Sequence, residues 1–194
     1  MSAVVLGKDF LFADNIARKK DKTSDTISKM QKLFIHPKKY MAYAYCGMLL
    51  DDKRRLDIEY KILHAIWTLE QHEFNEQTLE AYKGDVFGLG GCRSISVLTK
   101  IGIYDIDVHG LHIASPYTCH GTHGLAASVA IYHMRRKNHL SPTPIKKMSR
   151  ERRKKAWSDY LIRAVYQMLP NDHWKFDNVR REELRPMPKK LEVV

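Results

Sequence analysis

The chain of 194 residues is long enough for one domain with a buried core, and its 44% hydrophobic and 28% charged residues are ordinary globular values. The longest apolar stretches, residues 41–50 and 125–134, are too short to cross a membrane, and no secretory signal is visible at the N-terminus. The three cysteines, Cys46, Cys92 and Cys119, form no paired framework, which favours a reducing compartment. We therefore expect an intracellular, cytoplasmic protein without membrane association.

The net charge of +11 is the most unusual feature of the composition. A positive field of this size could attract nucleic acid or another acidic partner. No helix-turn-helix, zinc-finger or RNA-binding motif accompanies the charge, however, so an ordinary solvated surface is the alternative. The basic residues cluster at positions 18–20, 38–39, 53–55, 135–137 and 150–155.

The first fourteen residues predict a β-hairpin, because two apolar runs, residues 3–6 and 10–13, flank the turn-prone residues 7–9. Ser2 is small enough for removal of the initiator methionine, which would leave a serine with both a hydroxyl and a free α-amine. Such an amine, with an ordinary pKa of about 7.7–8.0, can act as a general base for its own hydroxyl. The hairpin would return Asp14 to this terminus. The alternative is an ordinary edge hairpin with an incidental serine.

The next part of the chain predicts a second hairpin followed by helices. Residues 15–28 are polar and charged, as in a loop, and residues 29–35 enter a strand. A further strand over residues 40–46 ends at Gly47. Apolar residues then recur at helical spacing over residues 51–71, and residues 75–83 predict a short second helix.

The second half of the chain predicts strands first and helices afterwards. A run of strands followed by a pair of helices favours an α+β fold with antiparallel sheets covered by helices. We expect one domain over residues 1–179 and a charged C-terminal tail over residues 180–194. The predicted strands cover residues 86–87, 94–98, 101–106 and 111–114, and the predicted helices cover residues 122–137 and 149–169.

Several short motifs occur together in one order along the chain. They are Ser2, Ala13-Asp14, Lys29-Met30-Gln31-Lys32-Leu33-Phe34, Ala44-Tyr45-Cys46-Gly47, Tyr104-Asp105-Ile106-Asp107 and Gly121-Thr122-His123-Gly124-Leu125-Ala126-Ala127. In this order and spacing the chain resembles the proteasome β-subunit superfamily of N-terminal-nucleophile hydrolases, particularly its short virus- and bacterium-encoded members. The resemblance implies a four-layer αββα sandwich of two stacked antiparallel sheets covered by helices. It also implies amide hydrolysis of a peptide or protein substrate within a homo-oligomeric ring.

The resemblance also implies a role for each candidate residue. Ser2 would be the nucleophile, and Asp14 would hold Lys29, whose charge would lower the pKa of the terminal amine. The backbone N–H of Gly47 would donate to the oxyanion, and Thr122 would orient the amine. Each has a plainer interpretation, which is a surface ion pair for Asp14 and Lys29, a glycine at a helix start, and a threonine cap.

Two departures from the family pattern leave an inactive protein of this fold as the alternative function. Ile16 stands where the family usually has arginine, and the late Asp-x-x-Ser-Gly motif appears only as residues 172–176, without its serine and glycine. A structural or assembly protein with basic surfaces for partner chains or nucleic acid would keep the fold without the chemistry.

A histidine-rich stretch raises the further alternative of a metal-dependent enzyme. Its spacings match no recognised pair of zinc-ligand motifs, so we predict no metal and no cofactor. The residues concerned are His109, His112, Cys119, His120 and His123.

Overall fold

The computed structural model describes residues 3–20, 25–47, 51–72, 75–90, 92–129 and 176–191. The strands are β1 (Val4–Leu6), β2 (Phe10–Asp14), β3 (Ile16–Lys20), β4 (Asp25–Lys29), β5 (Leu33–Ile35), β6 (Met41–Gly47), β7 (Cys92–Thr99), β8 (Ile103–Asp107), β9 (Gly110–Ile113), β10 (Thr118–His120) and β11 (Phe176–Arg180). The helices are α1 (Asp52–Gln71) and α2 (Glu76–Glu80), and residues 124–129 are also helical.

The first sheet has the antiparallel order β10-β1-β2-β11. Its centre is the predicted N-terminal hairpin, in which Leu6 lies opposite Leu11. The hairpin is closed by the Gly7 N–H, which donates to the Phe10 carbonyl at 2.8 Å. The predicted first hairpin is thus confirmed, and both of its strands are buried.

The second sheet has the antiparallel order β5-β6-β7-β8-β9. Side chains on a strand alternate between its two faces, and β6 shows this directly. Tyr43 and Tyr45 belong to a core cluster with the apolar residues of α1, whereas Ala42 and Ala44 belong to a cluster shared with the first sheet. Small side chains on the inner face let the two sheets approach each other closely.

These two clusters confirm the predicted fold class, an α+β protein in which two antiparallel sheets stack and a helix covers the second sheet. The predicted helix α1 is also confirmed, since the Asp51 side chain caps it by accepting from the Arg54 N–H at 2.8 Å. The predicted helix over residues 149–169 lies outside the described residues. Of the predicted helix over 122–137, residues 122–129 are described; residues 124–129 are helical, and residues 122–123 form the turn before them.

Two local predictions were wrong. Residues 15–28 were expected to be a loop, but β3 and β4 pair as a separate two-stranded sheet. Pairing of this kind uses backbone N–H and C=O groups and needs no apolar pattern. Residues 86–87 were expected to be a strand, but Asp85–Phe87 is a 3-10 turn between Gly84 and Gly88, both of which have positive φ.

The C-terminal segment, predicted to be a charged tail, packs on the body of the protein. Strand β11 pairs with β2, and Leu184 beyond it is buried. The Trp67 indole N–H of α1 donates to the Pro188 carbonyl at 2.8 Å. Among the described residues, no helix combines the length and the apolar character needed to span a membrane.

Candidate active site

Asp14 is a fully buried carboxylate beside the start of the chain. It is the last residue of β2, and its Oδ1 accepts from the Ala3 N–H at 2.7 Å. Its own N–H donates to the Ala3 carbonyl at 2.9 Å. Two hydrogen bonds therefore fix Asp14 against Ala3, the residue directly before β1.

Lys32 completes this site. Its Nζ lies 2.6 Å from the other carboxylate oxygen of Asp14, and its side chain is only 2% exposed. The Lys32 carbonyl accepts from the Tyr45 N–H at 3.2 Å, which fixes the link between β4 and β5 to strand β6. A buried ion pair is tolerated when its geometry is good and its remaining polar atoms are satisfied. Here both oxygens of Asp14 have a donor.

The structure does not bring Lys29 to Asp14. Lys29 is exposed and is the last residue of β4, where it pairs with Ile16. The sequence analysis assumed one strand over residues 29–35, whereas β4 ends at Lys29, and a three-residue link precedes β5. That link carries Lys32 into the interior. A lysine directly before the apolar run 33–35 was the available signal.

The other two candidate residues, Gly47 and Thr122, lie on two other elements. Gly47 ends β6 with φ 124°, next to a shift in the β6–β7 register, and a side chain is strained in this region. Thr122 is exposed in the turn between β10 and the helical residues 124–129. This turn lies close to β1, because a Cβ at Gly124 would be 3.4 Å from the Val4 carbonyl oxygen. Ser2 lies outside the described residues.

Comparison with known proteins gave matches at the level of structure. No protein-family model and no curated protein matches the sequence. HslV from Trypanosoma brucei aligns with a TM-score of 0.52 at 12% identity, over 93% of this chain and 99% of that chain. The chain has the HslV fold. This is the architecture implied by the resemblance to the proteasome β-subunit superfamily.

Two further structures were matched, both of a Thiobacillus denitrificans protein, BPH. One has a TM-score of 0.42 at 12% identity, over 93% of this chain and 98% of that chain. The other, BPH in complex with epoxomicin, has a TM-score of 0.43 at 13% identity, over 96% of this chain and all of that chain.

A second group of polar side chains links the two sheets of this HslV fold. Asp105 on β8 accepts from the Ser96 hydroxyl of β7 at 3.0 Å through Oδ1, and its Oδ2 lies 2.6 Å from His120 Nε2 on β10. Ser96 is fully buried and Asp105 nearly so. The sequence analysis weighed His120 only as a zinc ligand. Ser96 lies between Ile95 and Val97, and Asp105 lies between Tyr104 and Ile106; these polar residues between buried neighbours were the missed signal.

No three His, Cys, Asp or Glu side chains among the described residues are grouped so that they could hold a metal ion. A groove of about 880 Å³ runs along α1. It is lined by residues of α1, the turn 36–40 and the segment 188–191, and Asp14 and Lys32 do not line it.

Proposed function

We propose that this protein is an N-terminal-serine amidohydrolase, a proteasome-like peptidase that acts in a homo-oligomeric ring. The observation that carries the proposal is the buried Asp14 carboxylate, which binds both the Ala3 N–H and the Lys32 ammonium group. Elsewhere in the described chain the carboxylates of Glu59 and Asp105 are also buried, but Glu59 binds Tyr43 and Asp105 binds His120, and neither is near the N-terminus in the sequence.

The covalent chain supports a role for Ser2 at this site. Consecutive Cα atoms are about 3.8 Å apart, so Ser2 lies one step from Ala3, whose N–H is bound to Asp14. Removal of Met1 would release the Ser2 hydroxyl and α-amine within reach of the ion pair. If the β1–β10 register, which pairs Val4 with His120, continued for two residues, Thr122 would lie opposite Ser2.

The chemistry follows from the charges at this site. Ser2 Oγ would attack the substrate carbonyl and pass its proton to the α-amine, directly or through water. We assign the role expected of Lys29 to Lys32, since a nearby cation disfavours the protonated amine and so keeps it basic. Asp14 holds that cation in place. The Gly47 N–H is our candidate oxyanion donor, and loss of such a donor typically lowers the rate about 10²–10³-fold.

The test is the chemical state and reactivity of the N-terminus. Intact-protein mass spectrometry should show a chain that lacks Met1, and a peptide boronate or epoxyketone should label Ser2. Ser2→Ala should abolish labelling and peptidase activity, whereas Ser2→Thr, which keeps a hydroxyl, should retain labelling. A chain that retains Met1, or a free Ser2 that resists labelling, would refute the enzyme and favour the inactive assembly protein.

A further inference from the structure

Helix α1 carries two apolar stripes, one of which is open to solvent. On the open stripe, Leu56 and Tyr60 are 53% and 55% exposed. Together with the half-buried Leu63 and Trp67 they recur at i, i+4, i+7 and i+11, so they share one face of the helix and line the groove described above, the α1 groove. The other stripe is buried against the second sheet and consists of Ile58, Ile62, Ala65, Ile66 and Leu69.

The wall opposite this open stripe is held in place by hydrogen bonds. It consists of the turn 36–40 and the segment 188–191. The Arg185 N–H donates to the Lys39 carbonyl at 2.8 Å, which ties the C-terminal segment to the turn. The Trp67 indole N–H ties the same segment to α1. The α1 groove is therefore preformed, and a molecule that binds there avoids the cost of ordering it.

The rim of the α1 groove is positively charged. Lys38, Lys189 and Lys190 line the groove and are exposed. Of the described lining residues, Glu59 is the one carboxylate, and it is buried and accepts from the Tyr43 hydroxyl at 2.7 Å. The charge at the rim is therefore that of the lysines. An apolar floor with a cationic rim is complementary to a molecule that is apolar along one side and acidic at its edges.

We propose that the α1 groove is a docking site for an acidic amphipathic segment of another protein, independently of the peptidase function. The open stripe from Leu56 to Trp67 is about 16 Å long at the helical rise per residue, which matches about three turns of a bound helix. An apolar helix face laid in such a groove is a recurring mode of peptide recognition. A second copy of this chain, docked through the same face, would bring two sets of lysines together, which is unfavourable.

The floor of the α1 groove suits a peptide better than a nucleic acid. Single-stranded nucleic acid binds where successive bases stack on open aromatic faces. In the α1 groove the Tyr40 ring stacks on the His36 ring, with centroids 5.5 Å apart, and Trp67 is half-buried. Leu56 and Leu63 offer apolar contact but no ring for stacking. We therefore favour a peptide.

Three labelled synthetic peptides of about 12 residues, or about three helical turns, test this docking site. The first has leucine at i, i+4, i+7 and i+11 and glutamate or alanine elsewhere. The second has lysine in place of glutamate, and the third has serine in place of leucine. Fluorescence anisotropy should show the first peptide binding about tenfold or more tightly than either of the others. The third peptide is needed because the net charge of +11 attracts any acidic chain.

The double variant Leu56→Ser and Tyr60→Ser tests the apolar floor. Both side chains are exposed, so we expect the variant to fold, which circular dichroism would check. It should bind the first peptide about tenfold or more weakly, because it loses apolar area that the peptide would bury. The matched control is Val108→Ser with Leu125→Ser, two exposed apolar residues outside the groove, and it should bind like the wild type.

The double variant Lys189→Glu and Lys190→Glu tests the charged rim. It should weaken binding of the first peptide about tenfold or more and strengthen binding of the second. The matched control is Lys53→Glu with Lys100→Glu, which changes the net charge equally at residues that do not line the groove. These exposed positions also keep the proposal testable if the floor variant does not fold.

The proposal is supported if the first peptide binds most tightly and only the groove variants weaken it. Equal binding of the first and third peptides, or equal losses in groove and control variants, would overturn it. So would a labelled oligothymidylate that binds more tightly than the first peptide and is lost in the groove variants. A lower sedimenting mass of the floor variant would instead identify an interface between copies of this chain. Labelling of Ser2 is measured separately, so its failure would refute the peptidase and leave this docking site standing.

Discussion

Asp14 and Lys32 form a buried ion pair between strand β2 and the link that joins β4 to β5, and the two residues are 18 positions apart in the chain. Removing two charges from water is costly, and their attraction offsets that cost only when the geometry is good. A pair of apolar side chains could fill the same space. The pair of charged side chains therefore fits the proposed chemical site, which needs a cation, better than a site that serves packing alone.

At the same scale, Lys32→Met should be far more damaging than Lys29→Met. Loss of the ammonium group leaves the buried Asp14 carboxylate with the Ala3 N–H as its remaining hydrogen-bond donor among the contacts described here. Breaking a buried ion pair typically costs about 3–5 kcal/mol. We expect Lys32→Met to lower the free energy of unfolding by this order and to abolish Ser2 labelling. Chemical denaturation and labelling of both variants would check this.

Lys29 provides the control, because it is exposed at the end of β4. Its substitution should leave both measurements near the wild type. If Lys29→Met abolished labelling while Lys32→Met did not, the assignment of the lysine role to Lys32 would be wrong.

At the scale of elements, the end of α1 is joined to the β7–β8 hairpin by the half-buried carboxylate of Glu70. Glu70 Oε1 accepts from the Thr99 hydroxyl at 2.6 Å and from the Tyr104 hydroxyl at 3.2 Å. Burial raises the pKa of the Glu70 carboxyl above its ordinary value of 4.5, and these two hydrogen bonds oppose the shift. Burial prevails, so the folded protein holds this proton more tightly than the unfolded chain does.

This difference predicts the sign of a pH effect. Because the folded-state pKa is raised, the stabilisation from the bound proton is fully present at low pH and is lost as the pH rises through that pKa. Relative to Glu70→Gln, which cannot titrate, the free energy of unfolding of the wild type should therefore fall as the pH rises above 4.5. Denaturant titrations of both proteins across this range measure the difference. A difference that rises with pH would contradict the burial argument.

Some secondary-structure elements could be predicted from the sequence and others could not. Helix α1 has an acidic cap and an apolar stripe, and β6 alternates Tyr with Ala, so each pattern is visible locally. The sequences of strands β3 and β4 have no such pattern. Their backbone pairing, which begins with Ile16 opposite Lys29, therefore became visible in the structure alone. Strand β11 pairs with β2, more than 150 residues away in the sequence, a contact that no local window contains.

At the scale of the whole molecule, we predict a homo-oligomer, as the resemblance to ring-forming hydrolases implies. Sedimentation velocity should give a mass that is a multiple of the 22.6 kDa chain, and a single chain at all concentrations would contradict the ring. Bound nucleic acid would raise the mass measured by sedimentation, and the net charge of +11 favours such binding. The run should be repeated at high salt with absorbance at 260 and 280 nm, because phosphate contacts weaken steeply with salt.

The sequence by itself determined the N-terminal hairpin, the helix α1, the α+β class and the resemblance that singled out Asp14. The hairpin and the helix follow from patterns within a short stretch of chain, whereas the class and the resemblance follow from the order of such patterns along the chain. The tertiary structure decided which lysine meets Asp14 and that His120 meets Asp105, 15 residues away on the other sheet. Both contacts depend on where strands end and on how two sheets stack. A shift of one residue in the register of a strand would turn its side chains to the opposite face of the sheet.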